Sequence, residues 1–87
     1  MENREQLCGG YTKYDLARLL LSGELMTFWL GNFPQKGKTI RGRLNSIALE
    51  DGSHESWLLS GYTQDGKNFR AWFHTRRGTG WIEVLSN

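Results

Sequence analysis

Hydrophobic and polar positions alternate across residues 57–85, a pattern that predicts three antiparallel strands joined by two turns. The dipeptide Asp65-Gly66 predicts a two-residue type I′ hairpin turn, because that turn needs positive φ angles and Asp-Gly adopts them at low cost. The turn fixes which residues lie opposite each other. The predicted pairs are Tyr62 with Phe69, Ser60 with Ala71 and Leu58 with Phe73 on one face, and Gly61 with Arg70, Leu59 with Trp72 and Trp57 with His74 on the other.

A second turn, predicted over residues 76–79, tests this register independently. If Thr75 lies opposite Gly80, the third strand adds Ile82 and Val84 to the face that already holds Phe69 and Phe73. A slip of one residue would turn that apolar set to the other face. The agreement between the two turns predicts a meander with one continuous apolar face.

The opposite face of the predicted meander is unusually aromatic for a solvated surface. Three such side chains would each hide about 150–250 Å² if covered. The remainder of the chain is the favoured cover, as the second layer of the domain, and a subunit interface or an open ligand platform are the alternatives. The predicted rows are Trp57, His74 and Trp81, then Leu59, Trp72 and Glu83, then Gly61, Arg70 and Leu85.

The first quarter of the chain predicts an arm and a helix. Residues 1–10 are polar, lack periodicity and end in two glycines, which indicates a loose N-terminal arm. Residues 12–23 predict one amphipathic helix, with Thr12 and Asp15 as its capping box and Gly23 as its C-terminal stop. Leucines at helical spacing give this helix one apolar face, which is expected to cover the sheet.

Two further strands are predicted between the helix and the meander. Residues 25–30 are apolar at nearly every position, which predicts a strand buried on both faces or one that pairs across a subunit boundary. An unpaired edge of this composition favours association with a second copy, so we expect a homodimer. Residues 39–49 alternate, but their apolar phase shifts at Asn45-Ser46, which predicts a β-bulge.

Together these elements predict a single α+β domain over residues 1–87. One N-terminal helix would pack on about five antiparallel strands within residues 25–85, curled into a small, partly open barrel or sandwich. The strand count and the bend are similar to those of SH3-like and OB-type barrels. That architectural likeness implies nothing about function.

Charge and composition narrow the function classes only slightly. The net charge is +2, so the whole chain carries no strong field, although residues 36–77 hold eight Lys/Arg against four acids. One cysteine allows no internal disulfide framework and offers no metal-ligand spacing, which favours a reducing cytoplasm. No signal-peptide pattern or membrane-spanning run is present in the sequence, so we expect no membrane partner.

The residue pattern predicts a binding module rather than an enzyme, without cofactor or metal. Arginines would neutralise phosphates and Trp72 would stack on bases, as in small barrels that bind single strands of nucleic acid. The alternatives are a small protein-interaction or inhibitor protein, such as a phage or mobile element encodes, and a small-molecule binder with a Trp-lined pocket around His74. The candidate site residues are Arg41, Arg43, Arg70, Trp72, His74, Arg76 and Arg77.

Overall fold

The computed structural model describes residues 4–8, 11–31, 38–50 and 54–85. These residues form one helix and six strands. In chain order they are β1 (Arg4–Cys8), α1 (Lys13–Ser22), β2 (Met26–Leu30), β3 (Thr39–Leu49), β4 (Ser56–Thr63), β5 (Asn68–His74) and β6 (Thr79–Val84).

The six strands form one closed antiparallel barrel in which each strand pairs with its neighbours in chain order. The circle closes where β1 pairs with β6 as well as with β2. The predicted small α+β barrel with one helix is therefore confirmed. The partly open form and the sandwich are corrected, because a sixth strand fills the gap that five strands would leave.

That sixth strand lies in the segment predicted to be a loose arm. Residues 4–8 form β1 and pair with β6 from Arg4–Glu83 to Cys8–Thr79. Leu7 and Cys8 are buried in the barrel. The polar sequence of this segment gives no strand signal, because the strand forms by pairing with residues far along the chain.

The helix agrees closely with its prediction. The Thr12 side chain accepts a hydrogen bond from the Asp15 backbone N–H, and the Thr12 backbone N–H donates to the Asp15 carboxylate. The bond from the Thr12 backbone N–H to the carboxylate, followed by the effect of the Thr12 hydroxyl, holds the pKa of Asp15 below its usual value. Gly23 ends the helix in the left-handed conformation, and the helix buries Leu16 and Leu19 against the barrel core.

Strand β2 has both of its edges paired within the chain, with β1 on one side and β3 on the other. Its side chains alternate, since Met26 and Phe28 are buried whereas Trp29 is 39% exposed. The prediction of a strand buried on both faces is therefore wrong. The β1 side of this strand is paired at Trp29 and Leu30, and the Tyr11 hydroxyl bonds the Thr27 backbone, so the edge that favoured a homodimer is partly covered. The homodimer itself stays a prediction.

The β4–β5 hairpin has a three-residue loop, Gln64 to Gly66, instead of the predicted two-residue turn. The Thr63 backbone N–H donates to the Lys67 carbonyl, and the Gly66 N–H donates to the Thr63 carbonyl. Only glycines among the described residues take positive φ, so Asp65 does not adopt the type I′ conformation. The extra loop residue moves the register by one and exchanges the two faces of β4. Leu59 therefore pairs with Ala71, and Trp57 pairs with Phe73.

The β5–β6 turn has the predicted length but begins one residue earlier. The Gly78 N–H donates to the His74 carbonyl and closes the turn. The Thr75 N–H donates to the Glu55 carbonyl, so Thr75 does not take part in the β5–β6 ladder. His74 consequently lies opposite Thr79, and Ala71 lies opposite Ile82. The register differs from the prediction by two residues, so both strands keep their predicted faces.

The β-bulge predicted at Asn45-Ser46 is confirmed, because the β3–β4 register shifts between Leu44 and Ser46.

The barrel interior is a continuous apolar core. The buried residues of the core are Leu7, Leu16, Leu19, Met26, Phe28, Leu30, Leu44, Leu59, Phe69, Ala71, Phe73 and Ile82.

Gly61 is expected to be intolerant of any side chain, because a Cβ there would overlap the backbone carbonyl oxygen of Arg43 on the adjacent strand. Overpacking commonly costs about 1–3 kcal/mol, and a clash with backbone belongs at or above the top of that range. Gly61→Ala should therefore lower the free energy of unfolding by at least about 3 kcal/mol in urea denaturation followed by circular dichroism.

Gly66→Ala is the matched control, since a Cβ at Gly66 meets no heavy atom within 4 Å. Its cost should be about 1–2 kcal/mol, the strain of a left-handed φ at a residue with a side chain. Equal losses in the two variants would contradict the close packing of β3 on β4.

Candidate functional site

The outward side chains of β4, β5 and β6, with those of β1 and β3 on either side, form one surface that we call the outer sheet face. Its residues lie in rows across the strands. The rows are Ala48, Leu58, Trp72, Trp81 and Gln6, then Ser46, Ser60, Arg70, Glu83 and Arg4, then Arg43, Tyr62 and Asn68.

This surface differs from the predicted aromatic face because β4 turns its other side outward. Leu59 is buried in the core and Trp57 packs against it, so neither belongs to the surface. Leu58 and Tyr62 take their places and are 44% and 49% exposed. The aromatic rows predicted from the two-residue turn are thus corrected by the longer loop.

Trp81 and Arg4 form the most distinctive contact of the outer sheet face. The Arg4 guanidinium carbon lies 4.0 Å from the centre of the Trp81 ring. A cation at this distance is attracted by the ring quadrupole. Trp81 is half-buried, so part of its side chain stays accessible to solvent. Sequence reasoning missed Arg4 because it placed residues 1–10 in a loose arm.

Arg70 and Glu83 form an ion pair in the neighbouring row. The Arg70 Nε donates to Glu83 Oε1 at 2.6 Å, and the Glu83 side chain is 10% exposed whereas that of Arg70 is 54% exposed. Glu83 also lies opposite Arg4 across the β1–β6 pairing. The buried carboxylate therefore orients the Arg70 guanidinium on the surface and neutralises part of its charge.

Trp72 and His74 extend the same face along β5. The Trp72 Nε1–H donates to the Glu50 carboxylate at 2.5 Å, and its ring lies edge-on to His74 with centroids 6.2 Å apart. His74 Nδ1 accepts a hydrogen bond from the Arg77 backbone N–H at 3.1 Å. The imidazole thus contributes to the β5–β6 turn in this structure.

The predicted site arginines are divided between the outer sheet face and its margins. Arg43 lies opposite Tyr62 and donates from Nε to the Gly23 carbonyl at 2.9 Å, so it bridges the face and the helix end. Arg76 and Arg77 are exposed on the β5–β6 turn. Arg41 lies at the far margin, opposite Thr27 of β2.

Open cavities on the outside of the barrel include two that are lined by described residues. One, of about 400 Å³, is beside Arg41 and is lined by Thr39, Ile40, Thr63, Gln64 and Asp65. The hydrogen bond from the Thr63 hydroxyl holds the pKa of Asp65 below its usual value, which keeps a negative charge at this cavity. The other cavity, of about 360 Å³, opens on the outer sheet face beside Arg4 and Arg70.

The part of the chain that the structure describes contains no cluster of three His, Cys, Asp or Glu side chains suited to a metal ion. Its helix is too short and too polar to cross a membrane. Comparisons with protein-family models, with curated proteins and with solved structures found no match to this chain.

Arg70→Ala is expected to lower the free energy of unfolding by about 1–2 kcal/mol, because it removes the guanidinium that compensates a buried carboxylate. Breaking a fully buried pair costs about 3–5 kcal/mol, and the exposure of Arg70 reduces that figure. Thermal and urea denaturation measure the change.

Arg18→Ala serves as its control, because Arg18 pairs with Glu24 at 3.2 Å with both side chains more than half exposed. Its loss should be at most about 0.5 kcal/mol. If the two variants lose the same stability, the Arg70–Glu83 pair has no special role in the barrel.

Proposed function

We propose that this protein binds nucleic acid through the outer sheet face, and the contact of Arg4 with Trp81 is the observation that carries the proposal. A guanidinium on a partly exposed indole places a phosphate-binding group and a base-stacking surface side by side. Arg70 and Trp72 provide a second arginine and a second indole on the adjacent strand β5, where they lie two residues apart on the same side.

The distribution of charge supports a polyanionic ligand more than the small net charge of the chain suggests. Arg4, Arg43 and Arg70 lie on the outer sheet face, and Arg76-Arg77 lie at its end. Three glutamates among the described residues lie on or beside this face: Glu50 contacts Trp72, Glu83 contacts Arg70, and Glu55 contacts Thr75 at the β5–β6 turn. The arginines outnumber these carboxylates, so the face attracts phosphates while the whole chain stays close to neutral.

The tryptophans of the outer sheet face provide the direct test. Titration with a labelled single-stranded oligonucleotide at low and at moderate salt should quench tryptophan fluorescence, with weaker binding at the higher salt. Absence of quenching at low salt would contradict the proposal.

The double variant Arg70→Ala with Arg76→Ala is expected to bind more weakly and to reduce the slope of log K against log salt by about 2, one per phosphate contact removed. It should remain folded, because a loss of about 1–2 kcal/mol is small against a typical stability of about 5–15 kcal/mol. Fluorescence anisotropy measures the affinity, and circular dichroism checks the fold.

Lys13→Ala with Arg18→Ala is the matched control for that experiment, since it removes two positive charges from the exposed surface of the helix. It should keep the affinity and most of the salt slope. Unchanged binding in the Arg70 and Arg76 variant, or an equal loss in the helix variant, would refute the site assignment.

A protein partner is the second candidate, and the exposure of Leu58 and Tyr62 favours it. Leu58 lies opposite Trp72, and Tyr62 lies two rows away on the same face. The Arg70–Glu83 ion pair makes this area less positively charged than a site built only from arginines. Aromatic residues and arginine are also enriched in interface hot spots. A second copy of the chain is the partner that the sequence predicted.

Leu58→Ser distinguishes this candidate from the first. Sedimentation equilibrium of the wild-type protein should show a dimer that the variant weakens, if the face pairs with a second copy through apolar contacts. The slope of log K against log salt for the oligonucleotide should change little in the variant, because Leu58 carries no charge and this slope counts phosphate contacts. A monomeric wild-type protein would exclude the dimer.

A further inference from the structure

The cavity on the outer sheet face is a groove, which we call the serine groove because Ser46 and Ser60 lie in its floor. Its volume is about 360 Å³. Small side chains form its floor, an indole and a leucine border it, and two arginines lie at its side. The outward side chains of the lining are Arg4, Ser46, Ala48, Leu58, Ser60, Arg70 and Trp81; Leu59 and Ala71, whose side chains lie in the core, complete it.

The β-bulge of β3 builds the floor of this groove. Gly42 and Leu44 point into the barrel, so strict alternation would also turn Ser46 inward. The register shift after Leu44 turns Ser46 outward instead, opposite Ser60 on β4. Ala48 follows on the same outward side. Three small neighbours therefore leave a depression where larger outward side chains would give a flat surface.

The two serines also place a hydrogen-bonded pair of hydroxyls in the floor. Ser46 Oγ and Ser60 Oγ lie 2.5 Å apart, so one hydroxyl donates to the other. Each hydroxyl has a single proton, and their mutual bond uses only one of the two. The second proton and the remaining lone pairs are able to pair with the polar edge of a ligand.

The cations beside the groove are held in place by neighbouring groups. Trp81 carries the Arg4 guanidinium over its ring, and the buried Glu83 carboxylate holds Arg70 through Nε. A guanidinium that is already oriented loses less entropy when it binds an anion. The groove thus combines an apolar wall, a hydroxyl floor and two positioned cations.

We propose that the serine groove is the subsite for one unpaired base of a single-stranded nucleic acid. The base would lie against Trp81 and Leu58 with its polar edge toward Ser46 and Ser60, and the adjoining phosphates would meet Arg4 and Arg70. A base inside a duplex is stacked and paired, so it does not enter such a groove without being flipped out. This inference rests on the proposed function and adds that the ligand is single-stranded.

The experiment compares three kinds of labelled ligand, matched in length, for binding to the full chain by fluorescence anisotropy. They are a single strand of ten thymidines or ten uridines, the same backbone with abasic sugars, and a ten-base-pair duplex. Base stacking on an aromatic side chain is worth about 5- to 100-fold in affinity for one base. We expect at least one base-bearing single strand to bind at least about fivefold more tightly than the abasic strand and the duplex.

Ala48→Phe fills the groove without removing a charge, and Ala48 is exposed, so the barrel should fold normally. The variant should lower affinity for the base-bearing strand to that for the abasic strand and leave the abasic affinity unchanged. Ala17→Phe adds the same side chain at an exposed position of the helix and should change neither affinity.

The outcomes separate the subsite from the proposed function. Equal affinity for base-bearing and abasic strands, or no effect of Ala48→Phe, overturns the subsite while salt-sensitive binding by the arginines still stands. Tighter binding of the duplex overturns it in the same way. Failure of all three ligands to bind at low salt refutes the proposed function and the subsite together.

Discussion

The pairing of β1 with β6 is the constraint on which the rest of the structure depends. It joins the first and last described strands over five residue pairs, from Arg4–Glu83 to Cys8–Thr79. Closure satisfies the backbone groups that an open sheet would leave at its edges. It also places Arg4 beside Trp81, so the interaction that completes the fold assembles the most distinctive contact of the outer sheet face.

The outer sheet face shows how a small barrel separates packing from recognition. The interior uses large apolar side chains, while glycines such as Gly61 allow adjacent backbones to approach closely. The polar side chains occupy outward positions, where the buried Glu83 carboxylate and the Trp81 ring hold arginines in defined places. A surface made in this way has fixed geometry without a deep cavity, as extended ligands require.

The sequence predicted the features that depend on neighbouring residues. The capping box of Thr12 and Asp15 and the bulge near Ser46 are local, and both are present in the structure. The β4–β5 loop was predicted wrongly because Asp65-Gly66 suits two loop lengths, each with glycine at positive φ. The Thr63 hydroxyl, which accepts from the Lys67 N–H and donates to Asp65, favours the longer loop, and the sequence pattern does not show this contact.

The difference between features set by neighbouring residues and features set by distant pairing also applies to the candidate site. Arg70, Trp72 and His74 share one side of β5, as their spacing predicted, because alternation along a strand is a local rule. Leu58 and Tyr62 were assigned to the wrong face through the single-residue slip, and Arg4 was missed because strand β1 is defined by its distant partner. Long-range pairing therefore decided which side chains meet at the site.

The two borders of β1 differ in extent, and this difference has a consequence for how the barrel opens. Five residue pairs join β1 to β6, but only two, Leu7–Leu30 and Cys8–Trp29, join it to β2 among the described residues. Among the described residues, the border with β2 is thus the shortest of the barrel, so a local fluctuation there breaks fewer ladder bonds than at the border with β6. Opening at this border would leave a curled six-stranded sheet that still carries Arg4 on Trp81, so the outer sheet face would stay assembled.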